Sequence, residues 1–151
     1  MSNVNKHAWS DLTEKVIGAC LEVHNQVGPS LLEVVYVKCL CREFELRGIS
    51  YKRELEYPLT YKGCDIGTMR VDLLIEDTLV LEVKAVSSIL PVCYAQLISY
   101  LKMADLPVGM LVNFHEYKLM DSCKVFFRDH QPKSPKSLTP RELANPNHFH
   151  Q

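Results

Sequence analysis

The chain has no apolar run near the roughly 18–20 residues that a membrane-spanning helix needs, although hydrophobic residues make up 47% of its 151 positions. Its opening, Met1 to Ser10, is polar and lacks the apolar centre of a secretory signal. A flexible N-terminus, no membrane association and a cytoplasmic location are the expectations. Charge of one sign is lacking too. Lys and Arg number 17 against 18 Asp and Glu, a net charge of −1 with a pI near 6.6. That argues against a strongly basic protein that coats nucleic acid non-specifically. It leaves room for a nuclease, because a bound divalent cation brings its own positive charge. The six cysteines, Cys20, Cys39, Cys41, Cys64, Cys93 and Cys123, form no CxxC pair. Cys39 and Cys41 stand two apart in a predicted helix, so they point to different sides. Neither zinc ligation nor a disulfide framework is expected, and cysteines set among apolar residues act as small hydrophobes.

What is present suits one domain with one core. Val16, Ile17, Cys20, Leu21, His24 and Val27 recur at helical spacing and predict a helix over 11–27, stopped by Gly28-Pro29. A second helix is predicted over 31–47, with Leu31, Leu32, Val35, Cys39, Leu40 and Phe44 as its buried stripe. Ser30 followed by Glu33 matches a capping box at its start. The period then switches to two. Strands are predicted over 50–61, with Pro58 marking an edge or bulge, over 66–75, and over 79–86, the last almost wholly apolar. The short polar link Glu76-Asp77-Thr78 makes the latter two a hairpin. A helix over 91–104, a buried strand over 108–113 and a further strand over 123–127 complete a domain spanning 11–128. The order is α-α-β-β-β-α-β, an α/β layer architecture with a mixed sheet. Residues 129–151 hold four of the eight prolines and few large apolar residues. They read as a tail that docks weakly at most.

The chemistry is concentrated in the hairpin. Glu82 and Lys84, two apart in one strand, share a face. Asp72 lies in the strand before. A two-residue turn would put Asp72 opposite Leu81, on the wrong face, whereas a three-residue turn or a bulge puts it opposite Glu82. Opposed residues have Cβ atoms about 4.5–5.5 Å apart. Two carboxylates that close repel unless a cation lies between them. Hard oxygen ligands suit Mg²⁺, and a neighbouring lysine can then reach a phosphate or an attacking water. The plain alternative is a solvated sheet face with a weak Glu–Lys pair, since D-x9-E-x-K is a loose pattern. Val80, Leu81, Val83 and Val86 speak against it: they describe a strand covered on both faces, where charges need a partner or a task.

The order of elements and the placement of Asp, then Glu-x-Lys, resembles the PD-(D/E)xK nuclease core, the restriction-endonuclease-like fold. More narrowly, the chain resembles the GxxExxY family within that group. The matching stretches are EVHNQVGPSLLEVVY over 22–36, YKG over 61–63, RVD over 70–72, LEVKA over 81–85, AQLISYL over 95–101 and NF over 113–114. The name-giving glycine of that family falls at Ser30, while Glu33 and Tyr36 match. The resemblance implies a Mg²⁺ or Mn²⁺ ion held by Asp72, Glu82 and the Val83 carbonyl. Lys84 would orient water and stabilise the developing phosphorane charge. Glu33 would be a further ligand or water-holder, unless it serves only the capping box. Gln96 and Tyr100, four apart on one helix face, resemble the QxxxY element that flanks the site in RecB-type nucleases. Tyr100 and Arg70 are the candidate substrate contacts, with core packing as the alternative for Tyr100. His24 reads as a satisfied, half-buried histidine rather than a site residue.

Two functions from different classes follow. One is a divalent-metal-dependent nuclease acting on DNA, less readily on RNA. The other is a catalytically silent nucleic-acid-binding or protein-interaction module on the same fold. The near-neutral charge leaves room for a homodimer or protein partner that supplies affinity for DNA. The tail makes one prediction of its own. Deleting residues 130–151 is expected to leave the thermal midpoint nearly unchanged in a circular-dichroism melt. A large drop would mean that the segment packs on the core.

Overall fold

The computed structural model describes residues 3–128, with side chains from Trp9 onward; the Pro-rich tail falls outside the described residues. Helix α1 runs Asn3–Val27 and α2 Glu33–Arg47. Strands β1, Tyr51–Tyr61, β2, Cys64–Ile75, and β3, Leu79–Lys84, form a meander. Helix α3, Pro91–Ala104, crosses over to β4, Val108–Asn113; a 3₁₀ turn at Leu119–Ser122 leads into β5, Lys124–Phe127. The sheet order is β1-β2-β3-β4-β5, with β3 and β4 parallel and every other pair antiparallel. A parallel pair needs a crossover long enough to return to the same end, which α3 supplies.

Alternation along the strands divides the core in two. Leu79, Leu81 and Val83 of β3 join Val108, Met110 and Val112 of β4 under α1 and α2. Val80 and Leu111 turn to the other face and meet Leu97 and Leu101 of α3. Glu82 and Lys84 therefore belong to the α3 face. Two residues earlier than Leu73, which packs under α1 and α2, Val71 packs instead with Leu55, Tyr57 and α3. This change of face coincides with Glu54, whose φ of 51° is left-handed, and carries the far half of the β1–β2 hairpin over α3. Pro58 lies in β1, the edge strand, where its missing N–H interrupts no central ladder.

The helices differ in part from expectation. The first begins at Asn3, eight residues before the start that apolar spacing indicates. The second begins at Glu33, and its N-cap is Leu32, without a side-chain cap; the Ser30–Glu33 capping box does not form. Leu32 is 73% exposed, and the buried stripe is Tyr36, Val37, Leu40, Cys41 and Phe44. Leu31 and Leu32 sit ahead of the first turn, so helical periodicity does not govern where they point.

Glycine at position 109 has a packing reason. A Cβ there would stand 2.9 Å from Leu97 Cδ1 and 3.1 Å from Leu101 Cδ1. Only a bare backbone lets α3 seat this closely on β4. Gly109→Val is expected to lower folding stability by about 1–3 kcal/mol through overpacking, read as a fall in the urea midpoint. An unchanged midpoint would show that α3 can ride up at no cost.

Candidate active site

Parity is decided at the β2–β3 turn. Leu73 pairs with Leu81, Leu74 with Val80 and Ile75 with Leu79, so the turn is the three residues Glu76, Asp77 and Thr78. Glu76 and Asp77 both take left-handed backbone, φ 50° and 51°, and the Thr78 N–H donates to the Ile75 carbonyl at 2.9 Å. The next step in this register brings Asp72 opposite Glu82. There the ladder gives way to side chains. The Asp72 N–H donates to Glu82 Oε1 at 3.3 Å, and the Val83 N–H donates to Asp72 Oδ2 at 2.9 Å. Each carboxylate thus takes a backbone donor from the other strand.

Glu82 is only 7% exposed. Burial pushes its carboxyl up to about 8, helped by the neighbouring Asp72 charge; the Asp72 N–H and Lys84 pull the other way. Lys84 sits at the end of β3, half-buried. Its carbonyl accepts the Phe114 N–H at 2.8 Å from the far side. Val83 lies one residue out of phase with it. In a strand the N–H and C=O of one residue point to the same side, so the Val83 carbonyl turns toward Asp72, as its N–H does.

Other predicted residues gather round this pair to different degrees. Glu33, in the first turn of α2, is half-buried; burial raises its carboxyl, the Asp72 charge adds to that, and Lys84 opposes it. Tyr100 of α3 is raised chiefly by burial, then by the Glu82 charge, and Gln96 sits beside its hydroxyl. Arg70 reaches across the hairpin to Glu54 at 2.7 Å in an exposed ion pair. His24 donates through Nε2 to the Glu116 carbonyl at 2.9 Å and leans on the Phe114 ring, a packing role.

Two residues that frame the site escaped sequence reasoning. Asn113, 1% exposed, accepts the N–H groups of Val86 and His115 on Oδ1 and donates Nδ2 to the Val86 carbonyl at 2.7 Å. It ties down the chain just after Lys84. Tyr36 donates its hydroxyl to the Gly28 carbonyl at 2.5 Å and accepts the Leu31 N–H at 3.1 Å. The only sequence signal for either was its presence in a matched stretch, which assigns no partner.

Among the described residues, no three His, Cys, Asp or Glu side chains come together as a ready-made metal cluster. Glu33, from a different layer, feels the Asp72 charge without closing in on the pair. The donor set nonetheless fits a hard cation. Two opposed carboxylates, one of them buried, are what Mg²⁺ uses when water and substrate phosphates complete its shell.

A model of the PD-(D/E)XK nuclease superfamily matches residues 10–125. The five-stranded mixed sheet, the flanking helices and the order of elements agree with that fold, and the chain belongs to the PD-(D/E)XK nuclease superfamily. No curated protein and no solved structure matches the chain. Among the described residues, no helix is long and apolar enough to cross a membrane.

The raised Glu82 carboxyl has a pH consequence. A proton binds the folded state more tightly than the unfolded chain, whose carboxyl has a pKa near 4.5. Stability from this group is therefore complete below about pH 4.5 and is lost as pH rises to about 8. Metal-free Glu82→Gln is expected to lose that slope and to exceed the wild type in stability near neutral pH, measured by urea unfolding from pH 5 to 9. Parallel profiles for the two proteins would mean that Glu82 ionises freely.

Proposed function

We propose that this chain is a divalent-metal-dependent nuclease of the GxxExxY type that hydrolyses phosphodiester bonds in DNA. The observation that carries the reading is the Asp72–Glu82 pair, opposed across the hairpin with Lys84 two residues along the same face. In this reading Asp72, Glu82 and the Val83 carbonyl hold Mg²⁺ or Mn²⁺, and Glu33 holds a water beside them. The ion, when bound, supplies Lewis-acid stabilisation of phosphate charge and a more acidic water. Lys84 orients that water through Nζ and balances the charge that develops on the phosphate oxygens. Gln96 and Tyr100 line the α3 side and position the strand to be cut. Arg70 can exchange Glu54 for a backbone phosphate, since an exposed ion pair holds it by only about 0–1 kcal/mol. Membership of the GxxExxY type rests on Glu33 and Tyr36, with Ser30 at the glycine position. A second reading, a catalytically silent binding module, is favoured by one fact, the net charge of −1. In the nuclease reading a partner protein or a second copy supplies the missing affinity for DNA.

The deciding experiment measures cleavage of single- and double-stranded DNA and RNA with Mg²⁺ or Mn²⁺, alongside thermal melts. Metal at a hundredfold excess over Kd should stabilise the wild type by about 2.7 kcal/mol. Asp72→Asn should blunt that response while its metal-free stability stays equal or rises. Lys84→Ala should keep the response and lose cleavage. No shift in the wild type at millimolar metal, with Asp72→Asn behaving identically, would hand the site to the binding-module reading.

A further inference from the structure

Helix α2 starts without a side-chain cap, yet its first residue is Glu33. Something else must fix the five residues before it, Gly28 to Leu32. Tyr36 does so from one turn further along the helix. Its hydroxyl closes on the loop from both ends, donating to Gly28 O and accepting from Leu31 N. The tyrosine is fully buried, and its hydroxyl reaches out to partly buried backbone of the loop. Its ring lies flat on Phe114, centroids 4.3 Å apart and planes at 14°. Phe114 in turn donates its N–H to the carbonyl of Lys84. One continuous set of contacts thus runs from the loop ahead of Glu33, through the Tyr36 hydroxyl and ring, to the backbone of the site lysine.

We infer that Tyr36 is a positioning residue. Its hydroxyl latch and its stack on Phe114 fix the start of α2, and with it where Glu33 stands relative to the Asp72–Glu82 pair and Lys84. This rests on the metal-dependent reading of the site. It gives the loop ahead of Glu33 a fixed course in the absence of a side-chain cap on α2. It also assigns the two halves of the tyrosine separate tasks. The ring joins the helical layer to β4, while the hydroxyl holds the loop.

Tyr36→Phe separates these tasks, because it keeps the ring and its stack and deletes only the hydroxyl. Three measurements are made on the full chain. Amide hydrogen exchange at Leu31 should speed up in Tyr36→Phe, since the bond protecting that N–H is gone. Calorimetric titration with Mn²⁺ should show a Kd weakened roughly tenfold, the scale seen when a group that orients a metal site is removed. In a Glu33→Gln background, adding Tyr36→Phe should weaken Mn²⁺ no further, because its effect passes through Glu33. A purely structural tyrosine would lower metal-free stability and leave the Mn²⁺ Kd of the folded protein as it was; that result overturns the inference. Additive losses in the double variant also overturn it. A wild type that does not bind Mn²⁺ overturns the nuclease reading, and this inference falls with it. A wild type that binds, next to a Tyr36→Phe variant that binds equally well, overturns this inference alone.

Discussion

Two like charges facing each other across a hairpin repel, and much around Asp72 and Glu82 answers that repulsion. At about 5 Å and an effective dielectric near 20, the cost is roughly 3 kcal/mol. Two backbone N–H groups donated to the carboxylates offset part of it, at about 1.5–3 kcal/mol for a hydrogen bond to a charged group. The Val83 N–H is available because the β2–β3 ladder stops at Leu73 and Leu81, and the Asp72 N–H because Asp72 has no partner in β1, where Glu54 takes left-handed backbone. Burial first, and then what remains of the Asp72 charge, raises the Glu82 carboxyl. A proton or a cation removes the repulsion, and at neutral pH the two compete for the same oxygens.

The rest of the fold delivers groups to that point from three directions. The parallel partner β4 accepts the chain beyond β3 and secures it through Asn113, whose side chain engages both backbone groups of Val86. Helix α3, pressed onto β4 at Gly109, brings Tyr100 and Gln96 over the same face. Helix α2 contributes Glu33 from the opposite layer. No one element holds more than two of these groups together, so the site is as sound as the contacts between layers.

Much of this was legible from residue order. Short, almost wholly apolar runs located β3 and β4, and Pro58 marked β1 as an edge or bulge. The parity of Asp72 turned on the length of the β2–β3 turn, and the link read as Glu76-Asp77-Thr78 is the turn that forms; less visible was that Glu76 and Asp77 both enter left-handed backbone to make it. Spacing misled at Ser30 and Glu33, since the helix is capped at Leu32 and begins at Glu33, which leaves Ser30 two residues ahead of the position a capping box needs. The start of α1 was hidden because Asn3 to Ser10 show no apolar periodicity. Tyr36 and Asn113 escaped for a common reason. Each bonds main-chain atoms, and main-chain partners leave no mark on the residue types that supply them.

The outer edge of β1 carries a consequence for self-association. An exposed edge strand is a template on which a second sheet can grow. Here that edge is broken by Pro58, bent at the irregularity between Leu59 and Thr60, kinked at Glu54, and studded with Lys52, Arg53 and Glu56. Each feature spoils the even row of donors and acceptors that an incoming strand would have to match. Together they work against growth of the sheet on that side.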